Sequence, residues 1–210
     1  PHFTRYSTVA DDDAVPAMDK AMDFLDNAGV KFVAMSGDLT NEGEQTALDR
    51  FNAALDKHPD MTVVTAIGNH DSRTTLKTSD TSVLDTSITR WYKSITSSYY
   101  TVENGQVKVN DNFKAKGYDI LDTDALINPI DTQYREAAGG DGIDTTVPGL
   151  DFVTEAGNNI FIFFNDIAKT GETYDTDKLV TTGQMDWLQQ QLEKYKDSGK
   201  NVFLYQHYYL

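Results

Sequence analysis

The stretch Ile160-Phe161-Ile162-Phe163-Phe164 constrains this chain more than any other. It is far too short to cross a bilayer, which takes about 20 apolar residues. Bounded by Asn158-Asn159 and Asn165, it reads as a strand that is apolar on both faces, and therefore as a central strand of a sheet. Asp151 to Glu155 reads as its hairpin partner across Ala156-Gly157-Asn158.

Segments of helical period surround it. Residues 14–28 set Val15, Met18, Met22 and Leu25 at helical spacing, with Gly29 placed to end the helix. A second helix is predicted over about 42–57, with Ala47, Leu48, Phe51, Ala54 and Leu55 inward and Pro59 as its stop. A third carries Met185, Leu188, Leu192 and Tyr195 on one face, with Thr181 and Gln184 as a candidate capping box and Gly199 as its end. Lys31 to Met35, Met61 to Ile67 and Asn201 to Tyr205 read as strands. Helix, strand, polar loop, helix, strand, polar loop is the pattern of an α/β fold whose strands end in functional loops. Residues 72–150 are different: rich in Thr, Ser, Asp and Gly, with weak periodicity. Trp91, Tyr92, Tyr99 and Tyr100 predict a local mini-core, and Asn104-Gly105 a type I′ hairpin turn. The stretch reads as an elaboration on a single domain spanning 1–210.

The formal charge is −15, and the acid is mostly aspartate. Such a field opposes nucleic acid at a basic surface and opposes anionic membranes. It also hinders a phosphorylated substrate unless cations sit in the site. The absence of cysteine excludes disulfides, thiol catalysis and thiolate metal sites. With abundant Thr and Asp, it leans toward an extracellular or cell-surface protein.

Chemistry concentrates at strand tips: Gly37-Asp38, Gly68-Asn69-His70-Asp71 and Gln206-His207, with Pro1-His2 at the start of the chain. Three of the four histidines fall in these stretches. Parallel or mixed strands bring such tips together in space. Carboxylate, amide oxygen and imidazole suit Mn, Fe or Zn. A carboxylate between two imidazole-bearing loops could bridge two ions, and a pair about 3.5–4 Å apart can activate water and stabilise both in-line oxygens of a phosphoryl transfer. Each residue alone has a blander role. Asp38 could cap the helix after it, Asn69 could fill a left-handed turn, and His70 could be a hydrogen-bonded structural residue. Their joint occurrence points to a site. His58, before Pro59, reads as solvated surface. Asp11-Asp12-Asp13 reads as acid at a helix N-terminus rather than a calcium patch. Trp187 reads as core, and Asn165-Asp166 as a turn or supporting pair.

The stretches SGDLTNEGE, AIGNHD, NIFIFFND, GQMDWLQQQL and NVFLYQHYYL resemble, in order and rough interval, those of calcineurin-like metallophosphoesterases. The resemblance covers most of the chain outside 72–150. It implies a two-sheet α/β sandwich flanked by helices, and metal-dependent hydrolysis of a phosphomonoester or phosphodiester by a hydroxide held between two divalent or trivalent metal ions. It implies that Asp38 bridges the metals and that Asn69 and His207 ligate the second. His2 resembles the histidine of the opening Asp-x-His motif. His70 matches the histidine that contacts phosphate and assists the leaving group, and Asp71 the acid that orients it. GNHD and LTNEGE differ from the GNHE and Asp-Arg-Gly of protein phosphatases, which favours a small phosphodiester or nucleotide substrate.

Two departures stand out. The opening motif needs an aspartate two residues before its histidine, and the sequence starts at Pro1. The family's downstream Gly-His-x-His motif has no counterpart before Leu210. The expectation is therefore a fragment of a longer protein, with weak or no metal occupancy in this form. The competing expectation is a non-catalytic cell-surface module that binds glycan or protein on the same scaffold.

Overall fold

The computed structural model describes residues 14–41, 43–71, 87–104, 106–123, 150–165 and 182–208. The expectations placed on His2, Asp11 to Asp13, Gly105, Asp166 and Thr181 fall outside them. The fold is α/β, with five helices and three small sheets among the described residues. None of these helices is long and apolar enough to cross a membrane.

Helix α1 (Ala14–Asn27) leads into β1 (Phe32–Met35), α2 (Gln45–Leu55) and β2 (Thr62–Thr65). Gly29 ends α1 as its sequence position predicts: at φ 76° its N–H donates to Asp26 O at 2.8 Å, and Val30 N–H donates to Leu25 O at 3.0 Å, which satisfies two terminal carbonyls. Strands β1 and β2 are parallel and in register from Phe32 opposite Thr62 to Met35 opposite Thr65. Their C-terminal ends therefore lie side by side.

The second sheet has the order β5-β6-β7-β8, from β5 (Ile120–Leu121), β6 (Phe152–Ala156), β7 (Asn159–Phe163) and β8 (Asn201–Tyr205). β6 and β7 form the expected hairpin, and β8 runs parallel to β7. β7 is central, as its composition requires. Phe161 and Phe163 point to one core, with the ring of Phe32 of β1 tilted against Phe161 at 4.6 Å. Ile160 and Ile162 point to the other, which is closed by Trp187, Leu188 and Tyr195 of α5 (Thr182–Tyr195). One face of this sheet thus packs toward β1 and the other against α5.

Residues 87–123 are not a separate mini-core. Trp91 of α3 (Ser87–Ser94), Tyr99, Tyr100 of β3 (Tyr100–Glu103), Val109 of β4 (Gln106–Val109) and Phe113 of α4 (Asp111–Ala115) join the main core. The Tyr99 hydroxyl donates to Val63 O of β2 at 3.1 Å. β5 also comes from this stretch and extends the second sheet. Weak periodicity concealed the integration, because a few large aromatics make the contact rather than a regular stripe.

Two further expectations are corrected. His58 is buried, not solvated: its Nδ1 lies 3.0 Å from Asp26 Oδ2 and its Nε2 3.5 Å from Asp23 Oδ1. Helix α1 packs over the end of α2, and its acidic face supplies both carboxylates. On α5, Met185 and Leu192 are exposed, while Gln184 and Gln191 turn inward. Gln184 Nε2 donates to Asp151 Oδ2 at 3.0 Å and to Asn165 O at 2.7 Å. Gln191 Nε2 donates to the Asp122 carboxylate. Buried acceptors on the sheet draw in these amides and rotate the buried face away from the one hydropathy marks.

Across the site end of the second sheet runs an aromatic row. Phe152 stacks on Phe163 at 4.8 Å, and Phe163 on Tyr205 at 5.5 Å. Phe163→Ala is expected to lower the unfolding free energy by about 3–5 kcal/mol in urea titrations. Phe24→Ala, at a side chain 72% exposed, should stay within about 0.5 kcal/mol of wild type.

Candidate functional site

The C-terminal ends of β1, β2 and β8 converge, and the turns that follow them carry Gly37-Asp38, Gly68-Asn69-His70-Asp71 and Gln206-His207. The first two turns approach so closely that neither tolerates a Cβ at its glycine. One added at Gly37 would sit 2.7 Å from Ile67 C and 2.8 Å from Gly68 Cα; one added at Gly68 would overlap Asp38. Gly37 and Asp38 both take left-handed backbone, at φ 89° and 57°. The left-handed position is thus Asp38 and not Asn69. Nor does Asp38 cap α2, whose N-cap residue is Glu44.

Asp71 is the clasp between the two turns. Its side chain is fully buried. Oδ2 accepts the N–H groups of Asp38 and Gly68, each at 2.8 Å. Oδ1 accepts Thr40 N–H at 2.7 Å and Thr40 Oγ1 at 2.9 Å. Burial pushes this carboxyl up from 3.8 to about 7; the Gly68 and Thr40 donors oppose the rise, and the neighbouring Asp38 charge adds to it. The orienting role implied for Asp71 toward His70 is corrected. The carboxylate is occupied by the donors of three other residues, and the His70 ring is held by a backbone carbonyl, Asn41 O, 2.8 Å from Nδ1. A carbonyl only accepts, so Nδ1 carries the proton.

Asp38, Asn69 and His207 come together as the resemblance implies. His207 Nδ1 lies 2.8 Å from Ser36 O. It donates there, which leaves Nε2 with a lone pair in the neutral ring. That atom faces Asn69 Oδ1 at 3.0 Å and Asp38 Oδ1 at 3.4 Å. Asp38 Oδ1 also accepts His70 N–H at 3.1 Å, which fixes the carboxylate. With the Asn69 amide turned this way, an imidazole nitrogen and two oxygens, all electron-rich, point at one another. A cation, a proton on Nε2 or the opposite orientation of the Asn69 amide each relieves that arrangement. Two ligand atoms each about 2.1 Å from one ion lie about 3.0 Å apart at a right angle and about 3.4 Å apart at the tetrahedral angle. The separations from His207 Nε2, 3.0 Å to Asn69 Oδ1 and 3.4 Å to Asp38 Oδ1, match the spacing of two donors on one ion. The Nδ1 bond to Ser36 O is the supporting contact that orients a ligating histidine. Among the described residues there is no cluster of three or more His, Asp, Glu or Cys side chains able to hold a metal. The amide oxygen of Asn69 is what makes the third donor.

Sequence reasoning missed Thr40, Asn41 and Arg90. Thr40 and Asn41 belong to the motif stretch directly after Asp38, but Asn41 acts through its carbonyl, which leaves no mark on residue identity. Arg90 of α3 is buried and donates Nε–H to Gly43 O at 2.7 Å. It lies 47 residues along the chain from Gly43, in a region with no pattern tying it to the tips. Asn165 is structural: buried, it donates its N–H to Asp151 Oδ1 and accepts from Gln184.

No family model matches the chain, and no curated protein or solved structure matches it.

Two measurements check the geometry. Gly68→Ala is expected to lower stability by about 1–3 kcal/mol through overlap with Asp38. Gly29→Ala, with open space around its Cβ, should show only the left-handed backbone penalty of about 1–2 kcal/mol. The raised pKa of Asp71 has a definite sign: the folded chain holds this proton more tightly than the unfolded chain. Its contribution is fully present below pH 3.8 and is lost as pH rises to about 7, at up to about 1.4 kcal/mol per unit. In metal-free buffer, the stability of wild type relative to Asp71→Asn should therefore fall across that window and flatten above it.

Proposed function

We propose that the chain carries the site of a metal-dependent phosphoester hydrolase acting on a small phosphodiester or phosphomonoester. The observation that carries this reading is the convergence of His207 Nε2, Asn69 Oδ1 and Asp38 Oδ1, with the other nitrogen of His207 already donating to Ser36. The packing of β1 and α5 on opposite faces of one sheet supports the two-sheet, helix-flanked arrangement that the motifs imply.

In this reading Asp38, Asn69 and His207 hold a divalent or trivalent cation of the Mn, Fe or Zn type. His2 is the ligand that the resemblance implies, with Asp38, for the other ion of the pair. Such a cation supplies Lewis acidity toward a phosphoryl oxygen and offsets the acidic field that otherwise repels the substrate. The protein's own part is positioning and proton handling. Asp71 keeps the two turns at a fixed separation, so the Asp38 and Asn69 oxygens are set before substrate arrives. His70 holds its Nδ1 proton on Asn41 O, which leaves Nε2 as the ring atom that gains or gives a proton at the leaving oxygen.

Titration with Mn²⁺ is expected to bind an ion that His207→Ala weakens by at least about tenfold. Mn²⁺-dependent hydrolysis of bis-p-nitrophenyl phosphate should fall about 10²–10⁴-fold in His70→Ala, the usual range for losing a proton-transfer group. Binding indifferent to His207, or turnover equal in wild type and His70→Ala, would overturn the reading.

A further inference from the structure

We propose that Arg90 is a positioning residue for the His70 imidazole, acting through Gly43, Thr40 and Asn41. The inference rests on the reading of His70 as the proton-handling group and assigns a role to a residue that none of the strand-tip motifs contains.

The His70 Nδ1 is held by Asn41 O, so the orientation of the ring follows the turn that carries that carbonyl. That turn is held from two sides. On one side, Thr40 is bound through its N–H and hydroxyl to Asp71. On the other, Gly43 O accepts Arg90 Nε–H at 2.7 Å. Gly43 itself donates N–H to Thr40 Oγ1 at 2.9 Å, and Asn41 N–H donates to Glu44 Oε2 at 3.2 Å. The Asn41 carbonyl thus sits between a clasp at Thr40 and a clasp at Gly43. Gly43 takes left-handed backbone at φ 67°, and glycine has the freest backbone of any residue. The Arg90 donor adds a restraint from outside the turn to the bond that Gly43 makes with Thr40.

Arg90 is suited to this because it is anchored independently of the tips. Its helix α3 is tied to α2: Gln45 Nε2 donates to Ser94 Oγ at 2.9 Å and Asn52 Nδ2 to Ser94 O at 3.0 Å. The next residue, Trp91, is buried in the main core. A guanidinium in a fixed plane loses little freedom on making this bond. The stretch that reads in the sequence as a mere elaboration thereby reaches the site through the hydrogen bond from Arg90 to Gly43.

The test reads the ring directly, without turnover. In two-bond ¹H–¹⁵N spectra the wild-type His70 should appear with its proton on Nδ1. In Arg90→Met the Nδ1 and Nε2 signals of His70 should move toward one another as the tautomers mix. Arg90→Lys, a single flexible donor, should shift them less and in the same direction. His58 lies before β2, at the end away from the tips, and its ring bonds to Asp26, so its signals should stay in place and report an intact fold. Unmoved His70 signals in folded Arg90→Met would overturn the proposal. If Arg90→Met does not fold, Arg90→Lys decides: the smaller His70 shift with His58 unchanged supports it, whereas no shift or a second failure to fold assigns Arg90 to stability alone. A wild type with no phosphoesterase activity but with the expected ring shifts would sink the hydrolase reading and leave the positioning intact.

Discussion

One buried carboxylate holds the working end of this molecule together. Asp71 accepts from Gly68, Asp38 and Thr40, so a single side chain fixes the separation of the turns after β1 and β2. Burying a charge is unfavourable unless donors surround it; here burial outweighs the Gly68 and Thr40 donors and pushes the carboxyl up to about 7. The glycines at positions 37 and 68 follow from the same contact, because the clasp draws two backbones closer than a Cβ permits.

From this contact the rest of the site is built outward. The clasp sets Asp38, whose Oδ1 accepts from the His70 backbone. Parallel pairing of β7 and β8 and the Phe152–Phe163–Tyr205 row carry His207 to the same end. Ser36 O then turns its ring so that Nε2 faces Asn69 and Asp38. The contacts combine local and long-range pairings: the Asp71 bonds to the first turn span 31 and 33 residues, and the His207–Asn69 contact spans 138. The hydrophobic core supplies the rigidity on which these short polar contacts depend.

The elements with a strong local signal were legible in advance. β7 could only be central, the β6–β7 hairpin followed from Gly157-Asn158, and Gly29 marked the end of α1. The grouping of Asp38, Asn69 and His207 was legible because their residue types and strand-tip positions repeat one chemistry. The misses share a physical cause. His58 was judged by its neighbours in sequence, whereas the acids that bury it come from another helix. On α5 hydropathy marks Met185 and Leu192 as inward, whereas the hydrogen bonds of Gln184 and Gln191 decide the buried face. Asn41 was invisible because the functional atom is a backbone oxygen.

The sequence by itself determined the alternation of helix and strand, the central strand, and the chemistry of the side chains at the strand tips, since periodicity and residue chemistry are properties of short segments. The tertiary structure alone decided which acceptor holds each histidine, that Asp71 serves the two turns rather than the His70 ring, and that residues 87–123 belong to the main core. Those outcomes turn on separations of about 3 Å between groups far apart in the chain, where a hydrogen bond forms or fails within a few tenths of an ångström. No local pattern encodes a distance of that kind.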